Sequence, residues 1–494
     1  MDPTENVTYR VTYREGQIVR RKSSPAKAVT AVMALALAGG TVLTATGATA
    51  APAGTPRPAT DGVWRMDGYG TVLVLSDGHL QEYQTTAVSC MKSDSAERTG
   101  TGAGPVASYT TGGGVVLTVR ARPGGDRASL HADGAVGDRG LRRVAALPES
   151  CGHPVDEKDS LASFDVFWQS FEENYPFFAA KGIDWHKVRD QYRPKVRVDT
   201  PKEELFALFG KMVAPLNDAH VAVQDGGKVF ARTRPGTEMP GPDLDKRAKA
   251  HILERDLKGR KTHEFANGRI TYADLPDGQG YLRISGFGGY AAEGAPYATQ
   301  LAELDRALDA VFTRERVRSL RGLIIDLRVN GGGSDAMGLR IAGRLTDTPY
   351  LAYSKRARND PADATRHTRP QPLYVTPAKA PRYTGPVAVL IGGSTVSAGE
   401  TFTQALMDRP GGTVRIGQHT QGVFSDVMTR VLPDGMAAWL PNEEFLNRSG
   451  RSYDGPGIPP SARMEVPVFT EEEFRAGRDS AFDKAVEVLR SRKA

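Results

Sequence analysis

Only two cysteines occur in 494 residues, Cys90 and Cys151. No Cys-x-x-Cys and no His-Glu-x-x-His spacing exists, so no metal centre is expected. Neither thiol sits in a setting that would activate it for catalysis. What the pair permits is one disulfide in an oxidising compartment, closing a loop of about 60 residues and stabilising the fold by roughly 4 kcal/mol in the chain-entropy model. Basic blocks interleaved with aromatics are missing, and the formal charge of +6 is spread thinly, which excludes a nucleic-acid grip. No Gly-x-Gly-x-x-Gly spacing and no Gly-Lys-Ser/Thr ending is present, so no nucleotide or other cofactor is called for.

Long apolar runs are also scarce. The one near the N-terminus, residues 28–47, is weak, with four threonines and three glycines. Arg20-Arg21-Lys22 precede it and Ala48-Thr49-Ala50 follow, the basic, apolar and small-residue order of a secretory signal. Residues 1–50 therefore read as a signal peptide cut after Ala50, and the protein as secreted, with no stable membrane span after cleavage. Those residues carry six basic and three acidic groups, which leaves +3 on the mature chain.

Turn-formers are plentiful, with 54 Gly and 32 Pro. Residues 51–61 are Ala/Pro/Thr-rich and read as a linker. Over 62–152 short alternating runs separated by Ser-Asp-Gly and Gly-Gly turns predict a small β domain. Over 157–224 apolar residues recur at three- and four-residue intervals, predicting a helical unit whose aromatic stripe is core packing. The polar, proline-containing stretch 225–277 reads as a linker or insertion. From 278 to 494 strands and helices alternate, which implies an α/β domain with a buried, largely parallel sheet. The fold class is thus α+β and multidomain.

Chemistry concentrates at a strand-to-helix corner, "GGSTVSAGETF", where Ser397 lies beside helix N-terminal amides that favour developing negative charge. Read locally, Ser397 and Glu400 are also a Ser-x-x-Glu capping box. "DLRVNGGG" at 326–333 runs an apolar strand into three glycines, which let backbone approach a ligand closely. An α/β-hydrolase nucleophile is excluded: Thr395 stands where Gly-x-Ser-x-Gly needs glycine, and no histidine follows His419.

Together "DLRVNGGG", "GGSTVSAGETF" and "GPGIPP" resemble the tail-specific, C-terminal-processing peptidases and the tricorn proteases. "YPFF", "KGIDW" and "LNDAHVAV" extend the resemblance to the helical core domain of the tricorn branch, so that it covers roughly residues 157–470. It implies a ClpP/crotonase-like α/β protease domain, a peptide or protein substrate, and a serine nucleophile, Ser397, whose oxyanion is held by the amides of Ala398 and Gly331 or Gly332. The family uses either a lysine base or a histidine base. No lysine occurs between Lys379 and Lys484, and Val423 stands where the lysine branch has its base, so the implied base is His220, with His419 as fallback. In the tricorn branch a serine just before the histidine and a late glutamate complete a tetrad. Here Ala219 and Asp454 occupy those places. Asp454, or Asp218, is left to orient the imidazole, and a catalytically weak relative that binds peptide or lipid is the alternative. The resemblance leaves oligomerisation open.

Overall fold

In a computed structural model the described residues are 59–100 and 104–491. The expected signal peptide and most of the linker fall outside them.

The expected small β domain is a closed barrel of eight antiparallel strands, each pairing with the next and the last, Arg139–Val144, returning to the first, Gly62–Met66. Closure removes both edges. Trp64, Leu75, Val119 and Leu141 are completely buried in a filled interior. Cys90 and Cys151 are joined as a disulfide, linking a barrel strand, Ser89–Thr99, to the short 3-10 helix Glu149–Gly152 that leads into the helical unit.

That unit comprises the helices Ser160–Asn174, Trp185–Tyr192 and Lys202–Val213. Asp159 and Asp184 cap the first two by accepting first-turn N–H bonds. The stripe behaves as core: Phe164, Phe167, Phe171 and Phe209 are all fully buried, with Phe167 stacked on Phe209 at 4.0 Å between ring centres.

The largest open sheet among the described residues has six strands in the order Thr262–Phe265, Ile270–Asp274, Gln279–Ile284, Gly322–Asp326, Val387–Ile391 and Thr413–Gly417. The last four run parallel, and the first three of these are buried on both faces. Alternation divides their side chains. Leu323, Ile325, Val387 and Val389 face the helices Tyr297–Val311, Asp335–Ala342 and Ala398–Met407, while Ile324, Ala388, Leu390 and Ile416 pack on the C-terminal helix Ser480–Ser491.

The stretch 225–277 is not a linker. It contributes the strand Lys228–Ala231, the helix Pro242–His251 and the first two strands of the large sheet. Strands of four or five residues with Thr, His and Glu among them carry too little apolar periodicity to be legible, and tertiary pairing decides them.

The helical unit is tied to the α/β domain by a shared sheet: Ala222–Asp225 pairs with Ala437–Pro441, which pairs with Val427–Val431. His220 lies two residues before the first of these strands, so that pairing fixes where it is delivered.

Candidate active site

The strand Val387–Ile391 ends at Gly392, and the chain turns through Ser397 into the helix Ala398–Met407. Ser397 has φ 57° and ψ −121°, a conformation that costs a non-glycine residue on the order of 1–3 kcal/mol and persists only when its surroundings over-determine it. They do so here. Its N–H donates to Val423 O at 3.1 Å and lies 3.2 Å from Glu400 Oε2. Glu400, fully buried, also accepts from Thr420 Oγ1 at 2.6 Å, Gly422 N at 2.7 Å and Val423 N at 2.9 Å. The glutamate half of the capping box therefore exists, but its larger task is to bind the nucleophile corner to the segment 420–423. Burial pushes the Glu400 carboxyl up to about 8, against the pull of the donors around it.

The triple glycine lies against this corner. A Cβ on Gly332 would come within 2.7 Å of Ser397 Cβ and 3.1 Å of Ala398 N, and its φ is +78°, so glycine is required by both space and backbone. Its N–H donates to Asn330 Oδ1 at 2.9 Å, and the Gly331 N–H to Ser285 O at 3.2 Å. The Ala398 amide, in the first helical turn, has no intrahelical acceptor. Asn330 also anchors to Ile284 O through Nδ2 at 2.8 Å, and a Cβ on Gly399 would sit 2.7 Å from Asn330 Oδ1. Thus the two glycine-bearing motifs interlock through one asparagine.

The front half of "DLRVNGGG" has a different task. Arg328, 1% exposed, binds Asp326 through Nε (3.0 Å) and Nη2 (2.7 Å) and Asp479 through Nη1 (2.6 and 2.7 Å). That bidentate pairing locks the start of the C-terminal helix to the sheet; it does not face the corner.

"GPGIPP" supports the segment from the other side. Gly455 N–H donates to Gly422 O at 2.8 Å and Ile458 N–H to Thr420 Oγ1 at 2.7 Å. A Cβ on Gly457 would collide with Thr420 O at 2.1 Å.

His220 and Asp454 both come to this same segment. Asp454 accepts from Phe424 N at 3.0 Å and from Ser452 Oγ at 2.6 Å. Burial pushes its carboxyl up to about 7, those two bonds lower it, and repulsion from Asp218 adds to the rise. His220 is 8% exposed. Burial holds its imidazole below the usual value, while Asp218 and the Ser425 backbone act in the opposite direction. Asp218 accepts the His220 backbone N–H at 3.0 Å and Tyr175 OH at 2.8 Å, with Lys181 Nζ at 3.7 Å.

Ser397, His220 and Asp454 are therefore gathered on one short stretch, Val423 to Ser425. Among the described residues no hydrogen bond joins Ser397 Oγ to His220, or either Asp454 oxygen to His220. His220 Nδ1 is buried without a hydrogen-bond partner in the protein, as expected where Ala219 replaces a hydroxyl. Such contacts are commonly long without substrate and tighten on binding. His419 is directed elsewhere, its Nδ1 lying 3.1 Å from Pro456 O. No grouping of His, Cys, Asp and Glu suited to a metal is found among the described residues, and no described helix is long and apolar enough to cross a membrane. Sequence reading missed Glu400 as a hub and Asn330 as a clasp. The Ser-x-x-Glu spacing was the only signal for the former, and nothing marked the latter.

Comparison with known proteins matches residues 278–464 to peptidase family S41 and residues 156–214 to the tricorn protease C1 domain. A crystal structure of a candidate peptidase from Parabacteroides merdae is similar at 24% identity and a TM-score of 0.57, over 67% of this chain and 96% of that one. Mature CPAF complexed with lactacystin follows at 15% identity and 0.47, over 68% and 98%. The tricorn protease is similar at 14% identity and 0.41, over 85% of this chain and 46% of that one. No curated protein matches. The first of these structures supports the fold of about two thirds of the chain.

Proposed function

Because this chain belongs to the tail-specific and tricorn-like peptidases of family S41 and is a serine-type hydrolase, we propose that it cleaves peptide bonds through Ser397, with His220 as general base and then general acid. The observation that carries this reading is the strained Ser397 corner, which abuts Gly332 and is held to the segment 420–423 by Glu400. Ser397 Oγ attacks the scissile carbonyl as His220 takes its proton. The Ala398 amide and that of Gly331 or Gly332 hold the oxyanion, with Gly332 favoured because it abuts the serine. Its bond to Asn330 is to a side chain, which can share the amide. The covalent acyl-enzyme is then hydrolysed by water activated by His220. Binding of a peptide tightens the contact between the imidazole and the serine, which the shared sheet already brings to one segment. The substrate is a peptide or protein outside the cell, following from the reading of residues 1–50. A fluorophosphonate probe should label the parent and not Ser397→Ala. Equal labelling of both would refute Ser397 as the nucleophile and leave the peptide- or lipid-binding alternative.

Asp454 is proposed to orient the imidazole in its ionised form. Its carboxyl is raised to about 7, so the ionised fraction grows as pH rises through 7, while His220 is neutral from below its usual value upward. The pH profile of kcat/KM should therefore climb through about 7 in the parent. In Asp454→Asn that step should vanish, leaving a slower enzyme with only a limb below about 6.5. A profile that keeps its step near 7 in the variant would remove Asp454 from this role.

A further inference from the structure

One tight turn of the barrel, Asp67-Gly68-Tyr69-Gly70, is held by residues of the α/β domain that lead to the catalytic segment. A Cβ on Gly68, at φ +87°, would come 2.8 Å from Ala357 Cβ, and one on Gly70, at φ +52°, 2.7 Å from Arg430 Nη2. The turn is thus inserted against the α/β domain as closely as backbone allows. Four contacts hold it there. Arg430, 2% exposed, donates to Tyr69 O and Gly70 O. Asn442 Nδ2 donates to Gly68 O at 3.1 Å. Tyr69 OH donates to Glu443 Oε1, whose other partner is Lys355 Nζ at 3.0 Å. Arg139 of the barrel lies over the Tyr69 ring at 4.6 Å, so a barrel cation and a tyrosine enter a buried site that also contains the acids Glu443 and Asp426.

The next link leads to the catalytic segment. The backbone N–H groups of Asn442 and Glu443 both donate to Ser425 Oγ, at 3.2 and 3.1 Å. Ser425 is the residue whose backbone lies against the His220 imidazole. Nδ1 of that imidazole is buried without a hydrogen-bond partner among the described residues.

We infer that the barrel turn Asp67–Gly70 is a positioning wedge for the general base, acting through Asn442 and Glu443 on Ser425, so that the barrel is part of the catalytic apparatus rather than a substrate-docking module. Tyr69 and Asn442 are positioning residues; neither touches substrate. The inference rests on the Ser397–His220 reading. It gives the barrel a task that no motif within it announced.

The test uses the full chain with a peptide substrate. Tyr69→Phe keeps the ring and removes the hydroxyl from Glu443; Asn442→Ala removes the clasp on Gly68 from the other side. Each should lower kcat by about 10-fold or more at nearly unchanged KM, equivalent to about 1.4 kcal/mol in the transition state. Each should also move the acid limb belonging to His220 to lower pH, because the Ser425 backbone favours the protonated imidazole. Asp218, Lys181, Tyr175 and Asp454 stay in place in both variants. Val119→Ala, a cavity in the barrel core, should lower the melting temperature yet leave kcat and the acid limb as in the parent. If both wedge variants keep kcat within about 2-fold and keep the limb, the wedge is wrong. It is equally wrong if Val119→Ala loses kcat as they do, since general destabilisation then explains the effect. An inactive parent that fluorophosphonate does not label would instead overturn the peptidase reading beneath it.

Discussion

Alanine at His220 is expected to lower kcat for peptide hydrolysis by about 10⁴-fold, with KM little changed, and Ser397→Ala to do the same. The two residues act as a unit, since without a base the serine hydroxyl is a poor nucleophile and without the serine the base has nothing to activate. The double variant should therefore be no slower than either single one. The loss should fall at the lower end of what triads show. Nδ1 lacks a partner, and Asp454 gives both its oxygens to Phe424 and Ser452, so the parent begins with a loosely oriented base. Steady-state kinetics on a chromogenic peptide would decide. A His220→Ala enzyme as fast as the parent would move the base to another residue, with His419 next to be substituted.

Glu400→Ala is the second large effect, and its first reading is in stability. The side chain is fully buried and takes hydrogen bonds from Ser397, Thr420, Gly422 and Val423. Removing it leaves three backbone amides without that acceptor, at roughly 1–3 kcal/mol for each that stays dry and unpaired. A net loss of about 4 kcal/mol is expected, measured by urea unfolding, together with loss of activity as the strained Ser397 corner relaxes. The pH dependence gives a second check. Folding raises this carboxyl from its ordinary value of 4.5 to about 8. Between those values the unfolded chain ionises first, so the contribution of Glu400 is full below about 4.5 and is lost as pH rises to about 8. The variant should lack that part of the decline. A variant as stable as the parent, with the same pH slope, would show that the corner is held by other contacts.

Elements with strong periodicity were readable from the chain. The helices after 157, the strand Val387–Ile391 and the helix from Ala398 stand where the apolar spacing put them, because each buries one stripe or both faces of a sheet and so must show the matching period. The strands Thr262–Phe265 and Ile270–Asp274 were not readable: they pair with each other and with the next strand, Gln279–Ile284, but their own four or five residues carry too little apolar period to mark them.

The site divides in the same way. Ser397, the glycines at 331–333 and the absence of lysine from 380 to 483 were legible, since a nucleophile corner and a close backbone approach demand particular residue types at particular spacings. That "DLR" belongs to a buried lock with Asp479 and "NGG" to the catalytic corner could not be told from their shared motif, because the partner of Arg328 is 151 residues away. The sequence by itself determined which residue types are available for the chemistry and which bases are missing. Only the tertiary structure decided that Ser397, His220 and Asp454 come to Val423 to Ser425, and that a barrel turn is linked to the same stretch through Asn442 and Glu443. Those juxtapositions are made by strand pairing and buried hydrogen bonds across hundreds of residues, which no local pattern encodes.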